Sequence, residues 1–216
     1  MKKTLTFLAA IFVLAVASAN ATVLTFEGLQ CEEPVANFYN GGFGGNGSGP
    51  GPNYGITFTA NSLALQDYIH CPQFGSNIGN LPSPYTGLFF LSGGAATMNV
   101  PAGFNTGFSF YYAAPNHTGV INVWSGLDDT GSLLATLDLP LTGGCNNTPV
   151  YCIWDPIGVS FAGTAESVDF GGTANYIVFD NVTLGSNTPG TPEPATLTLF
   201  GSGLLGLGGL LRRRKS

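Results

Sequence analysis

The side chains of this sequence that could do chemistry are mostly carboxylates. A pair of carboxylates hydrolyses a glycosidic bond when one acts as a general acid and the other as a base or nucleophile. Glu27, Asp155 and Glu166 are candidates, but sequence spacing alone does not bring any two of them together. His70 and His117 lie in polar, loop-like contexts, and neither Gly-x-Ser-x-Gly nor His-Glu-x-x-His occurs. The sequence therefore favours a non-enzymatic protein, with a secreted polysaccharide-acting hydrolase or lyase as the alternative.

Cationic side chains are confined to the two ends of the chain. The six Lys and Arg residues are Lys2, Lys3, Arg212, Arg213, Arg214 and Lys215. All of the 12 Asp and Glu residues except Glu193 lie within residues 22–185, where no Lys or Arg opposes them. Nucleic-acid recognition, Schiff-base catalysis and P-loops each need a cationic side chain. Nucleic acid is therefore excluded as a partner of this central region, and acidic ligands would need a bridging metal.

Four cysteines predict disulfides in an exported chain. Cys145 and Cys152 bracket a turn-rich segment that suits a local bridge, which would leave Cys31 to pair with Cys71. Four cysteines allow three pairings, so the other two stay open. Zinc is the weaker interpretation, because no close Cys-x-x-Cys pair is present.

Three aromatic residues lie in residues 39–54, a segment that is too rich in glycine to be the interior of a strand. The run from residue 41 to residue 52 is mostly Gly, Asn, Ser and Pro, so residues 39–54 are predicted to form a long loop. Tyr39, Phe43 and Tyr54 could present their rings to the face of a sugar. A flexible crossover without a ligand is the alternative.

The C-terminal segment has three parts in a fixed order. Residues 186–191 form a polar linker, and an apolar run, predicted to be a transmembrane helix, occupies residues 195–211. The other two signals are the motif Pro192, Glu193, Pro194 and the basic cluster Arg212, Arg213, Arg214, Lys215. Residues 192–216 resemble a PEP-CTERM sorting segment. The resemblance implies a Gram-negative bacterium that produces exopolysaccharide and an exosortase-type membrane protease that cuts at or near the Pro-Glu-Pro motif. An unprocessed tail anchor is the alternative.

The N-terminal segment has the pattern of a secretory signal peptide. Two lysines precede an apolar run from Leu5 to Ala17, and small residues at Ala19 and Ala21 suit a signal peptidase. We expect residues 1–21 to be removed, with cleavage after Ala19 as the competing site. Export through the inner membrane, transient anchoring there and delivery to the cell surface or medium follow from the two ends together, because the basic tail should stay cytoplasmic.

The central region, residues 22–185, is predicted to be one all-β domain. Short runs of β-branched and aromatic residues alternate with turn residues, and residues 128–132 are predicted to turn a hairpin. The predicted strands are 23–26, 56–60, 88–91, 97–100, 107–112, 120–124, 133–137, 157–161, 167–170 and 176–184. So many short strands indicate an antiparallel β-sandwich, with a jelly roll favoured over an immunoglobulin-like arrangement.

The two ends of this domain are similar to those of jelly-roll carbohydrate-binding modules. Phe26-Glu27-Gly28 follows the first predicted strand, and Asp180 lies in the last. In such modules an acidic residue at each place helps to hold a structural calcium ion, so the resemblance implies that Glu27 and Asp180 bind calcium; the alternative is two solvated carboxylates. The sequence predicts an exported surface or matrix protein associated with exopolysaccharide or biofilm.

Overall fold

The computed structural model describes residues 21–190, which form an all-β fold. Its strands are β1 (Thr22–Leu24), β2 (Glu33–Pro34), β3 (Thr57–Phe58), β4 (Leu63–Gln66), β5 (Thr86–Phe89), β6 (Ala95–Ala113), β7 (Gly119–Trp124), β8 (Leu133–Leu139), β9 (Asp155–Gly172) and β10 (Val178–Leu184). One 3₁₀ turn, Pro72–Phe74, is the helical segment of this range. Within residues 21–190, no helical segment could cross a membrane. The predicted signal peptide up to Asn20, the sorting segment and its apolar helix lie outside the described residues.

The strands form one continuous hydrogen-bonded sheet in which all pairs of strands are antiparallel. The order is β2-β4-β5-β10-β6-β9-β7-β8, with β1 added to β10 and β3 added to β6. The predicted hairpin is confirmed, because Trp124 pairs with Leu133 across the turn between β7 and β8. β10 lies between β5 and β6 and is buried along its whole length. The last strand of the domain is therefore its most central one.

This sheet folds over on itself into two layers. Phe170 pairs in the ladder with Ala96 of β6 and Ile121 of β7. Its ring nevertheless lies 5.9 Å from that of Phe110 and 5.0 Å from that of Phe179, measured between ring centroids. Phe110 and Phe179 belong to the far half of β6 and to β10, so the rings meet between layers. A core of apolar, largely aromatic side chains fills the space.

Long strands carry the chain from one layer to the other. The sequence predicted two short strands in place of each of β6 and β9, because Gly and Pro residues interrupt the pattern. Instead, β6 continues without a break, and its pairing register with β9 shifts between Asn99 and Phe104 and again between Phe104 and Thr106. Gly103 and Gly163 adopt positive φ angles of 69° and 92° beside this bend. These glycines bend paired strands rather than end them. Strands β2 and β4 were not predicted.

Both disulfides join the cysteines that the sequence paired. Cys31 bonds to Cys71, 40 positions away, and Cys145 bonds to Cys152, 7 positions away. The Cys31–Cys71 bridge belongs to a second, smaller core that includes Ile78. It ties the segment between β1 and β2 to the segment before the 3₁₀ turn.

The residues predicted to form a linker lie against the sheet as far as Gly190. The Ser109 hydroxyl donates to the Ser186 carbonyl oxygen over 2.9 Å, and the Gly190 N–H donates to Thr183 Oγ1 over 2.9 Å. A Cβ atom at Gly107 would lie 2.6 Å from the backbone nitrogen of Asn187. Glycine in β6 therefore makes room for this segment, which holds the chain on the domain immediately before the Pro-Glu-Pro motif.

Candidate functional site

Glu27 and Asp180 meet at the hydroxyl group of Ser83. Ser83 Oγ lies 3.2 Å from Glu27 Oε1 and 2.9 Å from Asp180 Oδ1. Glu27 follows β1, Asp180 lies in β10, and Ser83 belongs to the segment that leads into β5. Because β10 pairs with both β1 and β5, the topology brings these three residues together.

Backbone amides fix the orientation of both carboxylates. Glu27 Oε1 accepts hydrogen bonds from the N–H groups of Tyr85 (2.9 Å) and Thr86 (2.8 Å). Asp180 Oδ2 accepts from the Ser83 N–H (2.7 Å), and its Oδ1 accepts from the Asn181 N–H (2.6 Å). The site is therefore preorganised by the short segment 83–86.

Four oxygen acceptors surround the single hydroxyl of Ser83. Besides the two carboxylates, the carbonyl oxygens of Thr25 and Thr86 each lie 3.2 Å from Ser83 Oγ. One hydroxyl carries one proton, so it can satisfy only one of these acceptors by donation. Calcium prefers such a set of carboxylate, carbonyl and hydroxyl oxygens. Within residues 21–190 no three acidic, His or Cys side chains converge on a metal position. A calcium ion bound by Glu27 and Asp180 would therefore need carbonyl and hydroxyl oxygens as its remaining ligands.

Burial makes Asp180 an unusual carboxylate. Its side chain is fully buried, and burial raises its pKa to about 7, while hydrogen bonds from Ser83 and Asn181 oppose the rise and the Glu27 carboxylate adds to it. The neighbouring Tyr39 hydroxyl accepts a hydrogen bond from the Phe26 N–H over 2.6 Å, and burial raises the pKa of this tyrosine as well. Asp180 therefore gains or loses its proton near neutral pH, well above the ordinary range of an aspartate.

The glycine-rich loop is anchored by a carboxylate that sequence reasoning missed. Glu33 is fully buried; its Oε1 accepts from the N–H groups of Asn46 (2.9 Å) and Ser48 (3.0 Å), and its Oε2 accepts from the Gln30 N–H (2.7 Å). Burial alone would raise the pKa of Glu33, but these hydrogen bonds hold it below its ordinary value. A Cβ atom at Gly44 would lie 2.5 Å from Glu33 Oε1. Glycine is therefore needed where the loop wraps this side chain.

Replacing Glu33 with Gln is expected to loosen the loop. The amide keeps the shape of the side chain but places a donor group against backbone donors, which should cost about 2–3 kcal/mol of unfolding free energy. Denaturant titration measures this loss, and amide hydrogen exchange at Asn46 and Ser48 should accelerate. Glu32→Gln, a change of the adjacent carboxylate, is the control. Equal effects of the two substitutions would contradict the anchoring role of Glu33.

The three aromatic residues of this loop take different positions. Tyr39 is only 2% exposed and packs in the core, so the prediction that it contacts a sugar is wrong: its ring faces inward. Phe43 is 55% exposed and Tyr54 is 47% exposed. The Tyr54 ring stacks on that of Tyr39, with an angle of 13° between the planes and 6.0 Å between the centroids. One face of the Tyr54 ring therefore packs against Tyr39, and the rest of its surface is open to solvent.

Two of the carboxylates considered for hydrolysis, Asp155 and Glu166, lie far apart along one strand, and the third, Glu27, accepts hydrogen bonds from other groups. Asp155 begins β9 opposite Tyr112, whereas Glu166 lies eleven positions later on the same strand, roughly 35 Å along it. Glu27 is engaged with Ser83 and the backbone of segment 83–86. Glycosidase carboxylates lie about 5–10 Å apart.

Sequence reasoning could not find the neutral oxygens of the Glu27–Asp180 site. Thr25 and Thr86 contribute carbonyl oxygens, which every residue type carries. Ser83 lies in a segment rich in Pro and Ser that reads as an ordinary turn.

Comparisons with known proteins identify the C-terminal segment. Residues 190–215 match the PEP-CTERM protein-sorting motif, so the chain carries this motif, which implies an exported protein processed by an exosortase. No curated protein matches the chain.

Several solved structures are similar to the domain. One is a glycoside hydrolase family 43 arabinoxylan arabinofuranohydrolase from Bacillus subtilis, in complex with cellotetraose (20% identity, TM-score 0.40, 60% of this chain and 26% of that chain). Another is the carbohydrate binding module CBM6cm-2 from Cellvibrio mixtus lichenase 5A, in complex with cellotriose (12%, 0.36, 59% and 88%). A third is the K3 cleaved adhesin domain of Lys-gingipain from Porphyromonas gingivalis (13%, 0.32, 78% and 93%). The match spans about a quarter of the arabinofuranohydrolase. Because all three TM-scores lie below 0.5, nothing about function is carried over from these proteins.

Proposed function

We propose that this protein is a non-enzymatic component of the cell surface or extracellular matrix whose β-domain associates with exopolysaccharide. The observation that carries the proposal is the sorting motif matched at residues 190–215, which follows the domain directly. In this proposal a signal peptide ending at Ala21 starts export, and an apolar helix at residues 195–211 holds the chain in the inner membrane. An exosortase then cuts at or near Pro192, Glu193 and Pro194.

Charge supports a neutral polysaccharide as the partner. Residues 22–185 contain no Lys or Arg, so anionic polymers would meet only carboxylates. Neutral sugars are recognised by hydroxyl, amide and aromatic groups, which this domain carries in abundance. Phe43 and Tyr54 are our proposed contacts, because both rings are exposed on a loop that Glu33 fixes. A fixed loop loses less conformational entropy on binding than a flexible one.

Calcium has a structural role in this proposal. Glu27 and Asp180 would hold the ion together with the Ser83 hydroxyl and the carbonyl oxygens of Thr25 and Thr86. The ion would neutralise two carboxylates that no Lys or Arg opposes and would join β1, β10 and the segment before β5. We propose a jelly roll as the finer description of the two-layer fold, because a central last strand and two bent strands that cross between layers support it.

Association with polysaccharide is tested by co-sedimentation. The exported protein, purified from producing cells, is mixed with exopolysaccharide isolated from the same cells and centrifuged. We expect the protein to appear in the pellet, and Phe43→Ala with Tyr54→Ala to reduce the pelleted fraction at least fivefold. Tyr68→Ala, at another exposed aromatic residue, is the control. A wild-type protein that stays in the supernatant at every polysaccharide concentration would contradict the proposal.

A further inference from the structure

A groove lies on the outward face of the layer formed by β7 and the adjoining parts of β6 and β9. Its volume is about 460 Å³, which is within the range of small-molecule sites. Gly94, Val120, Asn122, Asp169 and Gly171 are among the residues that line it. None of them belongs to the glycine-rich loop or to the Glu27–Asp180 site.

Glycine keeps the floor of this groove open. Gly171 alternates with Phe170 along β9, so it faces outward while Phe170 faces the core. A Cβ atom at Gly171 would lie 2.7 Å from the Val120 carbonyl oxygen and 3.6 Å from Asp169 Oδ1. A side chain at this position would therefore clash with the backbone of β7, and glycine leaves this part of the groove lining without a side chain beside the Asp169 carboxylate. Across the ladder Gly171 pairs with Ala95, whose side chain is also small.

One end of the groove carries a preoriented polar network. Asn122 Nδ2 lies 3.2 Å from both carboxylate oxygens of Asp169, and Trp124 Nε1 donates to Asp169 Oδ2 over 3.0 Å. Asn122 Oδ1 accepts from the Thr136 hydroxyl over 3.0 Å. The donors to Asp169 lie on β7, and Thr136 of β8 fixes Asn122 in turn, so the Asp169 carboxylate is held in one orientation. No Lys or Arg is present in the domain to form an ion pair with it.

We infer that this groove binds a neutral sugar residue of a polysaccharide, with Asp169 accepting hydrogen bonds from its hydroxyl groups. The inference rests on the proposed association with polysaccharide and adds a second contact to the one at Phe43 and Tyr54. A sugar ring is flat enough for the glycine floor and offers donors to an oriented carboxylate. The carboxylate repels uronic acids and sulfated sugars, so the groove selects uncharged ones.

The test uses the exported protein, purified from producing cells, and a panel of oligosaccharides. The neutral probes are cellotetraose, laminaritetraose and xylohexaose, and tetragalacturonate is the anionic probe; affinities are measured by calorimetry. Two variants change the groove: Asp169→Asn removes the charged acceptor, and Ala95→Leu covers the floor. Asp138→Asn, an exposed carboxylate on β8 outside the groove, is the matched control. Thermal melting of each variant verifies that it folds. If Asp169→Asn fails to fold, Ala95→Leu alone tests whether the groove binds the probes.

We expect at least one neutral probe to bind, tetragalacturonate not to bind, and both groove variants to weaken binding at least tenfold while the control binds as the wild type does. If folded groove variants bind the probes with wild-type affinity, the groove is not the sugar-binding site, but the proposed association with polysaccharide still stands. Tighter binding of tetragalacturonate than of the neutral probes would overturn the charge selection. A wild-type protein that binds neither the probes nor the isolated exopolysaccharide would overturn this inference and the proposed function together.

Discussion

In the presence of a chelator, raising the pH from 5 to 8 is expected to lower the melting temperature of the protein by about 5–10 °C. Asp180 is the cause, because burial raises its pKa from 3.8 to about 7. The folded state therefore binds a proton more tightly than the unfolded state, and this stabilisation is lost as the pH rises through about 7. With a pKa of 3.8 in the unfolded state and about 7 in the folded state, the stabilisation lost between pH 5 and pH 8 is roughly 2.5 kcal/mol, and 1 kcal/mol changes the melting temperature of a domain of this length by about 2–4 °C.

Calcium is expected to reverse this loss. The ion needs the carboxylate form of Asp180, so it competes with the proton and stabilises the protein more at pH 8 than at pH 5. Asp180→Asn should flatten the pH dependence between 5 and 8 and abolish the response to calcium. Asp138→Asn, at an exposed position, should preserve both. Melting curves of the wild type and of both variants, recorded at pH 5 and pH 8 with chelator and with calcium, measure these effects. A melting temperature that does not change between pH 5 and pH 8 in chelator would show that Asp180 is not perturbed as described.

Loss of the Cys31–Cys71 disulfide is expected to destabilise the protein by about 4 kcal/mol. This bridge spans 40 positions, whereas Cys145–Cys152 spans 7, for which the same treatment of chain entropy gives about 2.5 kcal/mol. The longer bridge also lies in the smaller core beside Ile78, so its removal leaves buried space as well.

The two double substitutions to Ser are compared by denaturant titration. We expect the Cys31/Cys71 variant to unfold at a clearly lower denaturant concentration than the Cys145/Cys152 variant. Each variant is the control for the other, since both remove two sulfur atoms and one bridge. An equal loss, or a greater loss for the Cys145/Cys152 variant, would mean that the longer bridge does not constrain the unfolded chain in the way its span predicts.

The sequence predicted the strands well and their continuity poorly. Alternation in β6, where Phe108 and Phe110 face the core, is visible from residue types alone. The bend near Gly103 was predicted as a loop, because a glycine at positive φ serves a bulge and a turn equally well. Whether the strand continues depends on pairing with β9, which is far away in the sequence. Strand β2 has two residues, too few for any periodic signal.

The candidate site was predictable only in part. Glu27 and Asp180 were singled out by resemblance, and the structure places both at Ser83. Tyr39 was expected to contact a sugar because it lies at the start of the predicted glycine-rich loop, but burial of its ring against Phe26 places it in the core. Asp169 was not singled out, since its importance depends on Gly171 and on strands from three parts of the chain. Local patterns cannot report such long-range neighbours.

The most direct test is to determine the location and the intact mass of the protein in cells that produce it. The account predicts a chain in the extracellular polysaccharide fraction that begins at Thr22, ends near the Pro-Glu-Pro motif and has all four cysteines oxidised. Recovery of the whole polypeptide from the cytosol, with residues 1–21 attached and its thiols reduced, would contradict it.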